Sequence, residues 1–150
     1  MIKAAILWIV NEEGEILLAQ RAHHKAQDPG VWGTAVAGKL EPGEDFQEAV
    51  VRETKEELAL KTTDYAPRFL FEKDFVHPDG EPRKFGIYYA VLPKSKSTLI
   101  HVDANEVAGF AWFTLQAVEE KMRSSPEELV PSANALWPSI FQALKTVKVL

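Results

Sequence analysis

Three acidic side chains, Glu53, Glu56 and Glu57, recur at helical spacing in a segment predicted to be a helix from about Asp45 to Leu58. On a helical wheel of about 100° per residue, Glu53 and Glu57 fall about 20° either side of Phe46, and Glu56 lies beside them. Phe46 belongs to an apolar stripe that should pack on a sheet. The stripe comprises Phe46, Val50, Thr54 and Leu58. The three carboxylates are therefore expected along the border of the buried face.

Carboxylates at this spacing repel one another. Each like-charged pair costs a few tenths of a kcal/mol on an exposed helix, and partial burial strengthens the repulsion or forces protonation. A divalent cation removes the conflict, and hard oxygen ligands suit Mg²⁺ or Mn²⁺ together with substrate phosphates. Salt bridges explain the spacing equally well, because Arg52 can reach Glu48 and Glu56 at i−4 and i+4. The spacing alone leaves both interpretations open.

The loop ahead of this helix adds to the pattern. Gly38 and Gly43 bracket a bend that contains Pro42, and glycines let a backbone approach a ligand closely. Glu44 is placed to hold Arg52 or the loop itself. A plain strand-to-helix turn also favours glycine and proline, so composition does not separate the two interpretations.

The segment Gly38–Leu60, GKLEPGEDFQEAVVRETKEELAL, resembles the Nudix box, Gly-x5-Glu-x7-Arg-Glu-U-x-Glu-Glu-x-Gly-U, in which U is a bulky apolar residue. The matching residues are Gly38, Glu44, Arg52, Glu53, Glu56 and Glu57. Six of the seven fixed positions agree. Such agreement arises by chance on the order of once in a million starting points. Thr54 stands at the first U, and Ala59 replaces the final glycine, which strains the helix end if its φ is positive.

The resemblance implies an α/β fold, a single domain over residues 1–150 built as a Nudix-type α/β/α sandwich on a mixed β-sheet. It also implies a hydrolase that cleaves a pyrophosphate linkage in a nucleoside diphosphate linked to another group. The attacking water would be activated by Mg²⁺ or Mn²⁺. A Nudix domain that binds nucleotides without turnover is the alternative within the family, although such members usually lack box acids that this chain keeps.

Individual residues take roles from the same resemblance. The implied catalytic set is Glu53, Glu56, Arg52 and Glu44. Within it, Glu53 would orient or deprotonate the water, and Arg52 with Glu44 would hold the loop against the helix. The implied metal site is Glu53, Glu56, Glu57, the backbone carbonyl of Ala37 and the adjacent Gly38.

A finer resemblance covers Arg21–Phe46, which is similar to the Nudix branch that includes the isopentenyl-diphosphate isomerases. The apolar segment Pro131–Leu144 fits the helix that often ends members of this branch. The isomerases use a catalytic cysteine near the position of Val36 and a histidine metal ligand near Lys39. This chain has no cysteine, so the resemblance favours the hydrolase members of the branch.

Residues outside the box supply candidate substrate contacts. We expect substrate binding by Arg21, Lys39 and Glu106, the last from a late loop in which some Nudix enzymes keep a further acid. Other candidate phosphate contacts are Lys25, Arg83 and Lys84, each also explained as an ordinary surface residue. Trp32 and Trp112 can stack on a base, but their apolar strand context favours core packing.

The elements that must position these residues follow from hydrophobic patterning. Predicted strands are Lys3–Val10, Glu15–Arg21, Val31–Ala37, Arg68–Val76, Phe85–Leu92, Thr98–Val102 and Ala108–Phe113. Besides the central helix, Leu115–Arg123 and Ala133–Val147 are predicted helices. The result is one α/β domain with a mixed sheet and few helices.

Composition limits the function classes. The formal net charge is −5, which argues against broad nucleic-acid or anionic-membrane binding and makes a cation necessary for a phosphate-rich substrate. No apolar run reaches the roughly 18 residues of a membrane span. The absence of cysteine excludes a disulfide scaffold and fits a reducing compartment, so we expect a cytoplasmic protein. The resemblance also makes a homodimer a reasonable expectation, with a small phosphate-containing molecule as substrate.

Overall fold

The structure is a computed structural model that describes residues 1–150. Seven strands and three α-helices form the fold. The strands are β1 (Ile2–Val10), β2 (Ile16–Arg21), β3 (Trp32–Thr34), β4 (Val36–Lys39), β5 (Arg68–Val76), β6 (Pro82–Val91) and β7 (Val107–Phe113). The α-helices are α1 (Phe46–Leu58), α2 (Leu115–Ser124) and α3 (Ala133–Thr146), and short 3-10 helices span Lys94–Leu99 and Pro126–Glu128. None of these helices is both long and apolar enough to cross a membrane.

Strand β1 organises the mixed sheet. It pairs in parallel with β6 along its whole length, from Ile2 opposite Arg83 to Val10 opposite Val91, and β5 continues the sheet antiparallel to β6. On its other edge, β1 pairs with β4 over its first half and meets β2 only at Val10. Strand β2 then carries β3 and β7. On this edge of β1 the sheet therefore divides into two branches, one formed by β4 and the other beginning with β2. Strand β4 borders the division between them.

Side chains of β1 alternate between two hydrophobic cores. Ile6 and Trp8 pack with residues of α3 on one face, whereas Leu7 and Ile9 pack with α1 on the other. This alternation follows from the two-residue period of a strand that is buried on both faces. The layers are thus α1, the sheet, and α3 with α2, which confirms the predicted α/β/α sandwich.

Helix α1 begins with a capping box. The Asp45 side chain accepts from the Glu48 amide at 2.8 Å, and the Glu48 side chain accepts from the Asp45 amide at 3.1 Å. Val50 and Leu58 are fully buried, as the predicted stripe requires, and Phe46 is half-buried against Gly86, where a Cβ would overlap its ring. The helix ends at Ala59, whose φ of 61° is left-handed, so the expected strain at this position is present.

Two predicted strands differ from the structure. The prediction of a single strand Val31–Ala37 is wrong, because a bend at Ala35 separates two strands. Strand β3 lies before the bend and pairs with β2, and β4 lies after it, pairs with β1 and extends to Lys39. The strand Thr98–Val102 is also wrong. This region begins with a 3-10 helix over Lys94–Leu99, whose turn is closed by a 3.1 Å bond from the Ile100 amide to the Ser97 carbonyl. Ile100 reaches the α1-side core from this turn without a strand partner.

Candidate active site

The box carboxylates lie at the edge of a cavity of about 650 Å³ on the α3 side of the sheet. Glu53, Glu56 and Glu57 line it from α1, and Ala37 lines it from β4. The division beside β1 makes this possible, because β4 borders the division and its residue Ala37 lies opposite Ile6 of β1. One helix and one short strand thus bring together residues that are 16 or more positions apart in the chain.

Glu53 lies directly against the backbone of Gly38. A Cβ at residue 38 would overlap the Glu53 carboxylate, so only glycine permits this approach. The side chain of Glu53 is 13% exposed, and its Oε1 accepts a 2.7 Å bond from Arg52 Nη1. The position of Glu53, the first carboxylate of the predicted metal site, therefore requires glycine at residue 38.

Arg52 connects the helix to the loop that precedes it. Its Nε and Nη2 donate to the two oxygens of Glu44 at 2.8 Å each, and Nη2 also donates to the Lys39 carbonyl at 3.0 Å. The Arg52 guanidinium lowers the pKa of Glu44 to about 2, helped by the Glu41 amide. The expected Glu44–Arg52 contact is present. Of the two salt bridges that the spacing allows Arg52, the one with Glu56 is present, whereas Glu48 instead accepts from the Asp45 amide in the capping box.

Glu57 and Glu56 differ in their surroundings. The Ala37 amide donates to Glu57 Oε2 at 3.3 Å. Burial, together with the nearby carboxylates of Glu53 and Glu56, raises the pKa of Glu57 to about 9. Glu56 is more open, with 57% of its side chain exposed, and lies 3.3 Å from Arg52 Nη1. Glu53 and Glu57 thus occupy the predicted border of the buried face, whereas Glu56 lies farther towards solvent.

Comparison with known proteins identifies the fold family. A family model for the NUDIX domain matches residues 1–133. The chain belongs to the Nudix family. This confirms the resemblance found in the sequence and, with it, the hydrolase class of enzyme.

Individual Nudix relatives are distant. Isopentenyl-diphosphate Delta-isomerase of Salmonella typhi is 28% identical over 125 residues, which cover 83% of this chain and 68% of that protein. The MutT protein from Methanosarcina mazei Go1 superimposes with a TM-score of 0.71 at 20% identity, covering 98% of this chain and 95% of that one. A C. elegans Ap4A hydrolase, in a binary complex, gives 0.70 at 20% identity and covers 98% and 97%. These two structures share the Nudix fold with this protein.

The donor chemistry of the Nudix box fits a hard divalent cation. Every side-chain donor is a carboxylate oxygen, and the missing Cβ at Gly38 leaves Glu53 close to the backbone of β4. The acids line one edge of the cavity without closing into a cluster of three around a single point. Instead, the Arg52 guanidinium contacts Glu53 and Glu56 and supplies the opposite charge. Both interpretations of the acidic spacing therefore have a structural counterpart.

The predicted substrate contacts are only partly brought together. Arg21 and Glu106 line the cavity, and Glu106 forms a 2.7 Å ion pair with Lys25. The side chain of Lys39 does not line the cavity, and the residue contributes its carbonyl to Arg52 instead. Trp32 and Trp112 pack against the two cores, as their strand context favours.

Part of the cavity wall was not predicted from the sequence. Aromatic residues and one histidine complete it, and they come from β1, the β5–β6 hairpin and α3. They are Trp8, Phe75, His77, Phe85 and Trp137. Strand alternation places Trp8 and Phe85 on one face, but the partner strands and α3 had to be known before that face became a cavity wall.

Proposed function

We propose that this Nudix protein hydrolyses a pyrophosphate linkage in a nucleoside diphosphate derivative with the help of Mg²⁺ or Mn²⁺. The supporting observation is the set of three carboxylates at the edge of a substrate-sized cavity, beside the Ala37 backbone. A cavity of about 650 Å³ is within the usual range for small-molecule sites. Arg52 contacts Glu53 and Glu56, but no basic side chain lies within salt-bridge distance of Glu57, so the three like charges stay unfavourable without a further cation.

The residues of the Nudix box take separate roles in this reaction. Glu53, Glu56, Glu57 and the Ala37 carbonyl would hold the cation, which when bound lowers the pKa of a water and offsets phosphate charge. Glu53, fixed by Gly38 and Arg52, orients or deprotonates the attacking water. Arg52 and Glu44 are positioning residues, because their paired hydrogen bonds hold the loop in a fixed place against α1.

The relatives bear on the substrate class. One structural neighbour is named for hydrolysis of Ap4A, a nucleotide, and another is named MutT. The first of these names supports a nucleotide derivative as the first substrate class to examine. The pocket walls come from loops and strands outside the box, so the particular substrate is a separate question.

A phosphate-release screen tests the proposal. Nucleoside diphosphate sugars, dinucleoside polyphosphates, nucleoside triphosphates and prenyl diphosphates are each offered with Mg²⁺, with Mn²⁺ and with chelator. We expect turnover of at least one nucleotide class, lost in chelator and restored by either metal. Hydrolysis that persists in chelator overturns the mechanism. Saturable nucleotide binding without any turnover supports the alternative of a non-catalytic Nudix domain.

Isomerisation is the second candidate, because the Salmonella typhi relative is an isopentenyl-diphosphate isomerase. The chain lacks cysteine, so no thiol can move the proton that the isomerases of this branch transfer. We expect no dimethylallyl diphosphate from isopentenyl diphosphate and metal. Product above a no-enzyme blank, measured by mass spectrometry, would refute this expectation and favour the isomerase.

A further inference from the structure

The outer edges of the sheet are formed by β3, β4, β5 and β7, and the first three are protected from pairing with another chain. On the outer side of β3, Trp32 is bridged to Leu129. On that of β4, the Ala37 amide donates to Glu57. Strand β5 is longer but carries the charged side chains Arg68, Glu72, Lys73 and Asp74. Covered edges and charged side chains are the usual means by which proteins prevent association through a sheet edge.

Strand β7 has neither kind of protection. Its seven residues, VAGFAWF, include no charged residue and no proline. It pairs with β2 along one edge, and residues 108–113 form no backbone hydrogen bond with any other part of the chain. The outer edge of β7 therefore presents a row of unpaired amides and carbonyls beside apolar side chains. Such an edge is suited to accept a further strand.

The sequence of β7 is complementary to a second copy of itself. An antiparallel pair centred on Phe110 matches all seven residues of the strand. The opposed pairs are Val107 with Phe113, Ala108 with Trp112, Gly109 with Ala111, and Phe110 with its own copy. Small residues lie opposite large ones on both sides of the centre, and no like charges face each other. At Gly109 a Cβ would meet nothing within 4 Å, so the middle of the edge is open.

The two ends of β7 carry complementary charge in the same register. Glu106 precedes the strand, and Thr114 follows it as the N-cap of α2. Glu106 of one copy therefore lies opposite Thr114 of the other. The first turn of α2 contains no acidic residue, so the positive end of its helix dipole is not offset within the chain. Glu106 is paired with Lys25 but remains 57% exposed, which leaves it accessible to this helix end.

We propose that β7 is the interface of a homodimer, in which two copies pair antiparallel through this edge and join their sheets. A second copy satisfies the unpaired backbone groups of both chains at once. The two-fold arrangement uses the β7 edge of both copies, so the assembly closes as a dimer and does not grow into a filament. The proposal goes beyond hydrolysis, because neither the box carboxylates nor a cation takes part in the contact.

Analytical ultracentrifugation over about 1–100 µM protein tests the interface. We expect the parent to sediment as a dimer at the upper end of this range. Gly109→Lys places a charge in the middle of the edge and should weaken the dimer at least tenfold. Phe69→Lys is the control, because Phe69 is a 56% exposed apolar residue on the β5 edge, and this variant should dimerise as the parent does. A parent that is monomeric throughout, or a Gly109→Lys variant as dimeric as the parent, overturns the proposal.

Cysteine cross-linking tests the register, because the chain has no cysteine of its own. The Cβ positions of residues 109 and 111 in opposite copies lie about 5 Å apart in the proposed pair, whereas identical positions lie about 7–8 Å apart. A mixture of the Gly109→Cys and Ala111→Cys proteins should therefore form disulfide-linked dimers faster than either protein alone. Equal or slower cross-linking of the mixture overturns the antiparallel pairing centred on Phe110.

Thermal melting separates dissociation from unfolding. Each variant is compared with the parent before sedimentation, and Gly109→Lys should remain folded. If it melts several degrees lower, Ala108→Lys replaces it, because Ala108 is an exposed position on the same edge. A folded Ala108→Lys variant that dimerises as tightly as the parent likewise overturns the proposal.

Discussion

The Arg52 guanidinium presents one edge to Glu44, so that Nε and Nη2 donate to the two carboxylate oxygens at 2.8 Å each. Such a paired contact fixes orientation as well as distance. Glu44 Oε1 also accepts from the Glu41 amide at 3.0 Å. The loop before α1 is thereby held to the same arginine that contacts Glu53, which couples loop geometry to the site.

Glu44→Gln should weaken the fold in a pH-dependent way. The pKa of Glu44 is lowered from 4.5 to about 2, so its ionised form stabilises the folded state. This contribution is fully present above about pH 4.5 and is lost as the pH falls towards 2. We expect the variant to melt below the parent at pH 7, with the difference shrinking between pH 5 and pH 2. Melting curves across this range measure it.

Glu41→Gln is the control for that prediction. Glu41 lies 3.6 Å from Arg52 and its side chain is 63% exposed, so its melting curve should run parallel to that of the parent. A constant difference between the Glu44→Gln variant and the parent at every pH would contradict an electrostatic origin.

Glu57→Gln should separate a metal site from a structural salt bridge. The change keeps the shape and removes an acid whose pKa is raised to about 9 in the metal-free protein, so the cost of protonating it on folding at pH 7 disappears and stability in chelator should stay level or rise slightly. Mg²⁺ should raise the melting temperature of the parent, because it binds only the folded state. In the variant that shift should shrink sharply, and hydrolysis should fall by at least about 100-fold.

The opposite pattern favours the salt-bridge interpretation. If Glu57 mainly stabilises the fold, the variant loses several degrees in chelator and keeps the Mg²⁺ shift of the parent. Glu127→Gln, which changes an exposed acid in the 3-10 helix Pro126–Glu128, serves as the control. It should alter neither the melting temperature in chelator nor the Mg²⁺ shift.

Gly38→Ala should damage the site through a single methyl group. Its Cβ would overlap the Glu53 carboxylate, so Glu53 must move. We expect hydrolysis to fall at least tenfold, and unfolding in urea to show a loss of about 1–3 kcal/mol from overpacking. Gly109→Ala, where a Cβ meets nothing within 4 Å, should leave hydrolysis unchanged. Parent-like activity of the Gly38 variant would show that the close approach is unnecessary.

Ala59→Gly should stabilise the protein. Ala59 has a φ of 61° at the end of α1, and glycine adopts this conformation without the Cβ penalty. Relief of strain exceeds the extra freedom of the unfolded chain, so we expect a gain of about 0.5–1 kcal/mol. Ala135→Gly, on an exposed position of α3, should instead cost about 0.5–1 kcal/mol. Urea unfolding measures both, and a loss at residue 59 would contradict the strain.

Much of the chemistry could be predicted from the sequence because it depends on one continuous segment. The apolar period and the spacing of Glu53, Glu56 and Glu57 both lie within α1. These features depend on backbone geometry that repeats every few residues, so no distant contact was needed to interpret them. The box pattern added the family and hence the layered fold.

Only the tertiary structure decided where other residues act. It divided the predicted strand Val31–Ala37 and turned Thr98–Val102 away from the sheet, because strand pairing depends on partners far along the chain. It also left Lys39 outside the cavity and brought Arg83 into it. Whether a basic side chain such as Lys39 or Arg83 faces solvent or the cavity depends on which strands and helices surround it. These surroundings exist only once the sheet and α3 have assembled.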